Sequence, residues 1–269
     1  MIIKKINLDE KFDNVYLDAY IADPTENFTR NAILVIPGGG YGVVCSDREG
    51  EPIALSFMAQ GYNAFVLHYS VNYQKAFPGQ LIEASLAMKH IKDNAAEYGI
   101  NPEKVFVTGF SAGGHLAASL GVLWHKKEIY EAYDMPFGYN KPAGMMLGYP
   151  VISFNSEFGH VPSGCYLFGT DNLTDEQVYE GSLENHVDEN SAPLFIMHTS
   201  DDQVVDVRNA LSLAAAYTKA GKKFELHIYP SMPHGAALAN KITSCGRESW
   251  ENKRIERWIE DAVAWAEEL

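Results

Sequence analysis

A serine, a histidine and a carboxylate can together transfer an acyl group, and this chain carries each of them where an apolar run ends. Ser111 occupies the middle of Gly109-Phe110-Ser111-Ala112-Gly113, directly after Val105-Phe106-Val107. A short apolar, β-branched and aromatic run reads as a strand covered on both faces. The small residues Ala112, Ala117 and Ala118 read as a helix pressed close against it. A serine at so tight a strand-to-helix corner sits in strained backbone, so the residues two before and two after it need almost no side chain. Gly109 and Gly113 meet that need. The hydroxyl would then project at a helix N-terminus, whose free N–H groups favour developing negative charge.

Three further strand ends offer what a serine nucleophile requires. Gly38-Gly39-Gly40 follows the run Ala32-Ile33-Leu34-Val35-Ile36 and leaves backbone N–H groups uncovered, as an oxyanion site needs. A phosphate loop competes with that reading, but no Gly-Lys-Ser or Gly-Lys-Thr follows and no Gly-x-Gly-x-x-Gly opens a helix. Thr199-Ser200-Asp201-Asp202 follows the run 194–198 with two adjacent carboxylates; one can orient an imidazole while the other binds turn amides. His234 lies in Pro230-Ser231-Met232-Pro233-His234-Gly235, a Pro/Gly loop that argues against a core role, unlike His90 in a helical segment or His227 in a strand. It is the candidate general base, and the chain order nucleophile, acid, histidine suits that assignment.

The elements that must position these groups alternate in type. Strands are expected at 15–21, 32–36, 63–69, 105–109, 145–149, 194–198 and 224–229, with 15–21 as a half-exposed antiparallel edge because its apolar residues alternate. Helices are expected at 51–60, 78–98, 207–220 and 248–269, besides the one after Ser111, several of them closed by glycine. That alternation implies a mostly parallel sheet with helices on both faces, in which chemistry sits at the carboxyl edge of the strands. Segments 124–142 and 153–191 are less periodic and are expected to cover the site as loops and short helices. The whole chain, 1–269, reads as one α/β domain.

Composition narrows the function classes. The chain has 269 residues, 46% hydrophobic and 21% charged, with a formal net charge of -14. Such acidity argues against nucleic acid and against anionic membrane surfaces, and no apolar run approaches a membrane span. Met1-Ile2-Ile3-Lys4-Lys5-Ile6 lacks the apolar core of a secretory signal, so the expected location is cytoplasmic. Cys45, Cys165 and Cys245 are odd in number and far apart, which suggests neither a disulfide framework nor a metal site.

Several of these pieces resemble the α/β-hydrolase superfamily, and within it the acetyl-esterase and xylan-associated esterase group near the hormone-sensitive-lipase-like esterases. The resemblance rests on Ile36-Pro37-Gly38-Gly39-Gly40-Tyr41, Asp47-Arg48-Glu49-Gly50-Glu51-Pro52, Gly109 through Ala117, His198 through Val205, and Phe224 through Gly235. It implies an α/β-hydrolase fold, with Ser111 as nucleophile, His234 as base and Asp202, rather than Asp201, as the acid. It also implies Gly39, Gly40 and the Ala112 amide as oxyanion donors, and no metal or organic cofactor. Pro37 departs from the lipase-like relatives, which carry histidine there. His115 is similar to a family feature behind the serine and is expected to support the helix start; Arg48, Glu49 and Glu51 are expected in helix entry and loop salt bridges.

The expected activity is hydrolysis of short acyl esters, acetyl above all, of a sugar or oligosaccharide. Tyr41 is expected to bind substrate, and Tyr73, Tyr130, Tyr133, Tyr139 and Tyr166 share its capacity to stack on a sugar face. The expected partner is thus a small-molecule ester, with a homo-oligomer left open. Acyl transfer, peptide hydrolysis on the same fold, and ligand binding without turnover remain as alternatives at this point.

Overall fold

Continuous apolar runs need cover on both faces, and the described residues supply it with helices on each side of an eight-stranded sheet. In the computed structural model, which describes residues 1–9, 12–131 and 133–269, the strands are β1 (Ile2–Asn7), β2 (Tyr16–Ile21), β3 (Arg30–Ile36), β4 (Asn63–His68), β5 (Ile100–Phe110), β6 (Met145–Gly148), β7 (Leu194–Thr199) and β8 (Phe224–Tyr229). Their order across the sheet is β1-β2-β4-β3-β5-β6-β7-β8. Strands β1 and β2 pair antiparallel, as do β2 and β4; every pairing from β4 through β8 is parallel. The carboxyl ends of β3 to β8 therefore share one edge, and the candidate residues all lie along it.

Strand alternation divides the core between the two faces. Ala32, Leu34 and Ile36 of β3 and Val105 and Val107 of β5 join Leu81, Met88, Leu116 and Leu213 on one side. Ile33, Val35 and Phe106 point the other way, onto Ile53, Phe57, Trp258 and Val263. The first side is covered by helices Gly79–Asp93, Ser111–Val122 and Arg208–Lys219, the second by Glu51–Ala59 and Trp258–Glu267.

Four expectations about elements change. The segment 15–21 is not an edge, because β1 pairs along its whole length, Ile2 with Ile21 through Asn7 with Tyr16. The helix expected over 78–98 stops at Asp93 and restarts at Ala95, where Asn94 folds its side chain back to donate to the His90 carbonyl at 2.7 Å. The last helix begins only at Trp258, since Glu248–Trp250 form a single 3-10 turn and the residues after it a loop pinned by Asn252 N–H to the Ala239 carbonyl and by Trp258 Nε1–H to the Ala237 carbonyl.

The fourth change concerns function. Segment 124–142 joins the end of helix Ser111–Val122 to the start of β6, so it lies at the amino edge of the sheet, away from Ser111. Asn140 there bonds Ser85 and the Trp124 carbonyl, and Lys92 reaches the Lys141 carbonyl. It cannot cover the site, and Tyr130, Tyr133 and Tyr139 leave the set of sugar-stacking candidates with it. Segment 153–191 does begin at the carboxyl edge, after β6. Among the described residues no helix is long and apolar enough to cross a membrane.

Candidate active site

Ser111 has φ of +52° and stands at the junction of β5 with its helix. That left-handed backbone is strained for a residue with a Cβ, and close packing holds it. A methyl group at Gly109 would lie 2.3 Å from the Gly113 carbonyl oxygen, and one at Gly113 only 2.2 Å from that of Ile36. Strand and helix thus approach more closely than any side chain allows.

The hydroxyl meets His234 Nε2 at 2.9 Å, while His234 Nδ1 meets Asp202 Oδ2 at 2.7 Å. Asp202 Oδ1 accepts the Val204 and Val205 N–H groups at 2.8 and 3.0 Å. His198, fully buried at the end of β7, donates Nε2–H to the Val205 carbonyl and also faces Asp202 Oδ2 at 3.4 Å. Burial by itself would raise the Asp202 carboxyl, but the hydrogen bonds from His198 and His234, the His234 charge and the Val205 N–H together hold it well below the usual carboxylate range. An ionised Asp202 only accepts, so His234 Nδ1 carries the hydrogen and Nε2 is left to accept from Ser111.

Asp201 turns away. Its carboxylate accepts Ser231 Oγ–H at 2.6 Å and Met232 N–H at 3.3 Å, pinning the loop that carries His234. Across the site, Gly39 and Gly40 have φ of +125° and +66°, and neither N–H donates to any described residue. The Ala112 N–H lies in the first turn of its helix, where amides have no intrahelical acceptor.

Tyr41 is a correction. Its φ of +60° folds the ring back into the core, where it is fully buried and its hydroxyl donates to His115 Nδ1 at 2.8 Å. No substrate can reach it there. His115 also donates Nε2–H to the Gly181 carbonyl at 2.8 Å, and burial pushes its pKa down to about 4. The neutral ring therefore stitches the glycine loop, the serine helix and segment 153–191 together. Of the remaining tyrosines, Tyr73 and Tyr166 do border the glycine loop. Their rings lie 4.9 Å apart, and Tyr166 ring atoms come within 3.4 Å of where a methyl at Gly42 would be.

A family model, BD-FAE, matches residues 17–217, most of the chain. The chain belongs to the BD-FAE family. Two curated relatives of this BD-FAE chain are the endo-1,4-beta-xylanase B of Butyrivibrio fibrisolvens, 37% identical over 80% of this chain, and the acetylxylan esterase of Xylanibacter ruminicola, 30% identical over 78%. The chain spans only 34% and 42% of those two proteins. Solved structures extend the likeness over the whole chain. An acetyl ester-xyloside bifunctional hydrolase from Caldicellulosiruptor lactoaceticus is 34% identical with a TM-score of 0.83, covering 98% of this chain and 96% of its own. A carboxylesterase from Lactobacillus plantarum is 26% identical with a TM-score of 0.85, covering 100% and 98%. The BD-FAE chain accordingly has the α/β-hydrolase fold, with its mostly parallel sheet.

Two residues of this BD-FAE site were not singled out by sequence reasoning. His198 reads as the last residue of a buried strand, and nothing local marks its approach to Asp202. His160 caps helix Val161–Phe168, its Nδ1 facing Ser163 Oγ at 2.8 Å and the Ser163 N–H at 3.4 Å. Ser163 Oγ lies 3.9 Å from where a methyl at Gly40 would be, and burial together with the His234 charge pushes His160 down. A histidine two residues before Pro162 in a loop-like stretch could have been flagged from sequence, since such a ring has no helical core to join.

Proposed function

We propose that the chain is a serine ester hydrolase acting on short acyl groups, acetyl foremost, carried by a sugar or oligosaccharide. One observation carries the reading: Ser111, His234 and Asp202 form one hydrogen-bonded chain, beside a glycine loop in which the Gly39 and Gly40 N–H groups bond to no described residue. In the proposed reaction His234 Nε2 takes the Ser111 proton as Oγ attacks the ester carbonyl, and Asp202 stabilises the imidazolium. The carbonyl oxygen, now anionic, rests on the free amides, each worth about 3 kcal/mol in comparable sites. Collapse expels the alcohol, which His234 protonates; a water activated by His234 then releases the acid from Ser111.

The carbohydrate assignment draws on the relatives, two of which are named for xylan and one for an acetyl ester and a xyloside. Tyr73, 47% exposed, and Tyr166 beside the glycine loop supply a polar-tipped aromatic surface suited to a sugar face. The test is kcat/KM for acetate, butyrate and decanoate esters of one leaving group, followed by acetate release from acetylated xylo-oligosaccharides. Acetate should be preferred, and Ser111→Ala should abolish turnover. Preference for decanoate, or turnover that survives Ser111→Ala, refutes the reading.

A further inference from the structure

Glu49 stands where the glycine loop, the serine and the histidine loop meet, yet the proposed reaction does not use it. It closes the one-turn helix Ser46–Glu49 and is only 2% exposed. Its Oε2 accepts the Gly38 N–H at 2.8 Å, and its Oε1 accepts the Tyr149 hydroxyl at 2.8 Å. Tyr149 Oη accepts the Ala237 N–H at 3.0 Å in turn, and its ring meets His234 edge-on with centroids 4.9 Å apart. One carboxylate therefore ties the chain leaving β3 to the loop after β8.

The surroundings are closed on both sides. A methyl at Gly38 would lie 2.8 Å from Glu49 Oε2 and 3.0 Å from Ser111 Cβ; one at Gly235 would lie 3.9 Å from Glu49 Oε1. The ionisable groups around Glu49 are Cys45 and Arg48 on its own segment, Tyr69 beyond β4, Tyr149 beyond β6 and His234 beyond β8. Tyr149 Oη accepts from Ala237 and donates its own hydrogen to Glu49. Glu49 thus receives two donors, as an anionic carboxylate does. Burial pushes its carboxyl up, opposed by those hydrogen bonds and by the charges of His234 and Arg48. A buried anion is costly unless several donors converge on it, and these donors belong to the segments that carry the proposed oxyanion amides and the proposed base.

We infer that Glu49 is a positioning residue: it fixes the Gly38–Gly40 backbone beside Ser111, fixes the His234 loop through Tyr149, and favours the imidazolium by its charge. It touches neither substrate nor reacting atoms. The inference rests on the serine-hydrolase reading.

Two variants test it. Glu49→Gln keeps the size and one acceptor for Gly38 but removes the charge; Tyr149→Phe keeps the charge and removes the bridge. Each is measured for the rate of covalent labelling by a fluorophosphonate, for kcat and KM on an acetate ester, for the pH profile of kcat/KM and for Tm. Both should lower labelling rate and kcat by about ten- to a hundred-fold with little change in KM, as small misplacements of reacting groups do. Only Glu49→Gln should move the acid limb of the profile, to lower pH by about half a unit or more. Variants that lose Tm but label and turn over like the parent, with the same profile, overturn the inference and make Glu49 merely structural. A parent chain that the fluorophosphonate does not label overturns the nucleophile reading and the inference with it. A parent that labels but hydrolyses no ester overturns only the esterase reading, because labelling still tests Glu49.

Discussion

Asp202→Asn should cost far more than its single-atom change suggests, and the local hydrogen bonds say why. In the parent, Oδ1 accepts two backbone N–H groups, from Val204 and Val205, while Oδ2 faces His234 Nδ1 and His198 Nε2. An asparagine must choose an orientation. Keeping its oxygen on the two amides turns its NH2 toward His234; the flip would set that NH2 against two N–H donors instead. The first orientation wins. His234 Nδ1 then accepts, its hydrogen moves to Nε2, and Nε2 can no longer take the proton of Ser111. A wrong tautomer of this kind lowers kcat by about ten-thousand-fold, or about 5.5 kcal/mol in the barrier. Asp201→Asn is the control: its oxygen can keep the Met232 N–H while its NH2 donates to the Ser231 hydroxyl, which can accept as well as donate, and it should retain kcat within about threefold. The assay is initial rates on an acetate ester, with circular dichroism to establish that both variants fold. Damage from Asp201→Asn, or an Asp202→Asn enzyme within tenfold of the parent, would refute the reasoning.

Two further outcomes are expected. Tyr41→Phe strips the hydroxyl from His115 Nδ1 and leaves a buried acceptor unsatisfied, so it should cost about 1–3 kcal/mol in urea unfolding while KM stays put; a raised KM with unchanged stability would return Tyr41 to the substrate site. Stability should also fall with acid before the carboxylates titrate. His115 has a folded pKa of about 4 against 6.5 when exposed, so the unfolded chain binds the extra proton and stability is lost as pH drops from 6.5 towards 4, by about 3 kcal/mol. His68, His90 and His160, all pushed down chiefly by burial, act in the same direction. Asp202, depressed instead, adds its loss only below the ordinary aspartate range, near 3.8. A urea midpoint that stays flat between pH 6.5 and 4.5 would contradict this account.

The parts of the site legible in the sequence are those whose reason is local. Gly109 and Gly113 flank Ser111 because backbone touches backbone at the corner, and that need is written two residues either side. Strand ends announced Gly38–Gly40, Asp201/Asp202 and His234, because an apolar run stops where the chain leaves the sheet. What depends on the rest of the chain was illegible. Tyr41 looked available because nothing in Gly40-Tyr41-Gly42 reports that a positive φ turns the ring inward. Glu49 lies within Asp47-Arg48-Glu49-Gly50-Glu51, which has the composition of a solvated surface turn; its burial comes from Gly38, Tyr149 and the loop after β8. Segment 124–142 was irregular enough to resemble a cover, but which end of the sheet a loop occupies depends on strand direction, not on composition. Strand β1 escaped because Ile2, Ile3 and Ile6 do not alternate, and two of the three are largely exposed.

Among the described residues strand β8 pairs with β7 alone and is mostly half-buried, whereas β5 is clamped between β3 and β6. The two proposed reacting partners thus ride on supports of unequal strength: Ser111 at the middle of the sheet, His234 beyond its margin. Fraying of an outer strand needs far less free energy than melting a central one. Heat or denaturant should consequently take the proposed base out of register while the strand-to-helix corner at Ser111 still stands. Inactivation then comes as an early, reversible event of the margin, and regained turnover on cooling reports re-docking of β8, not refolding of the whole chain.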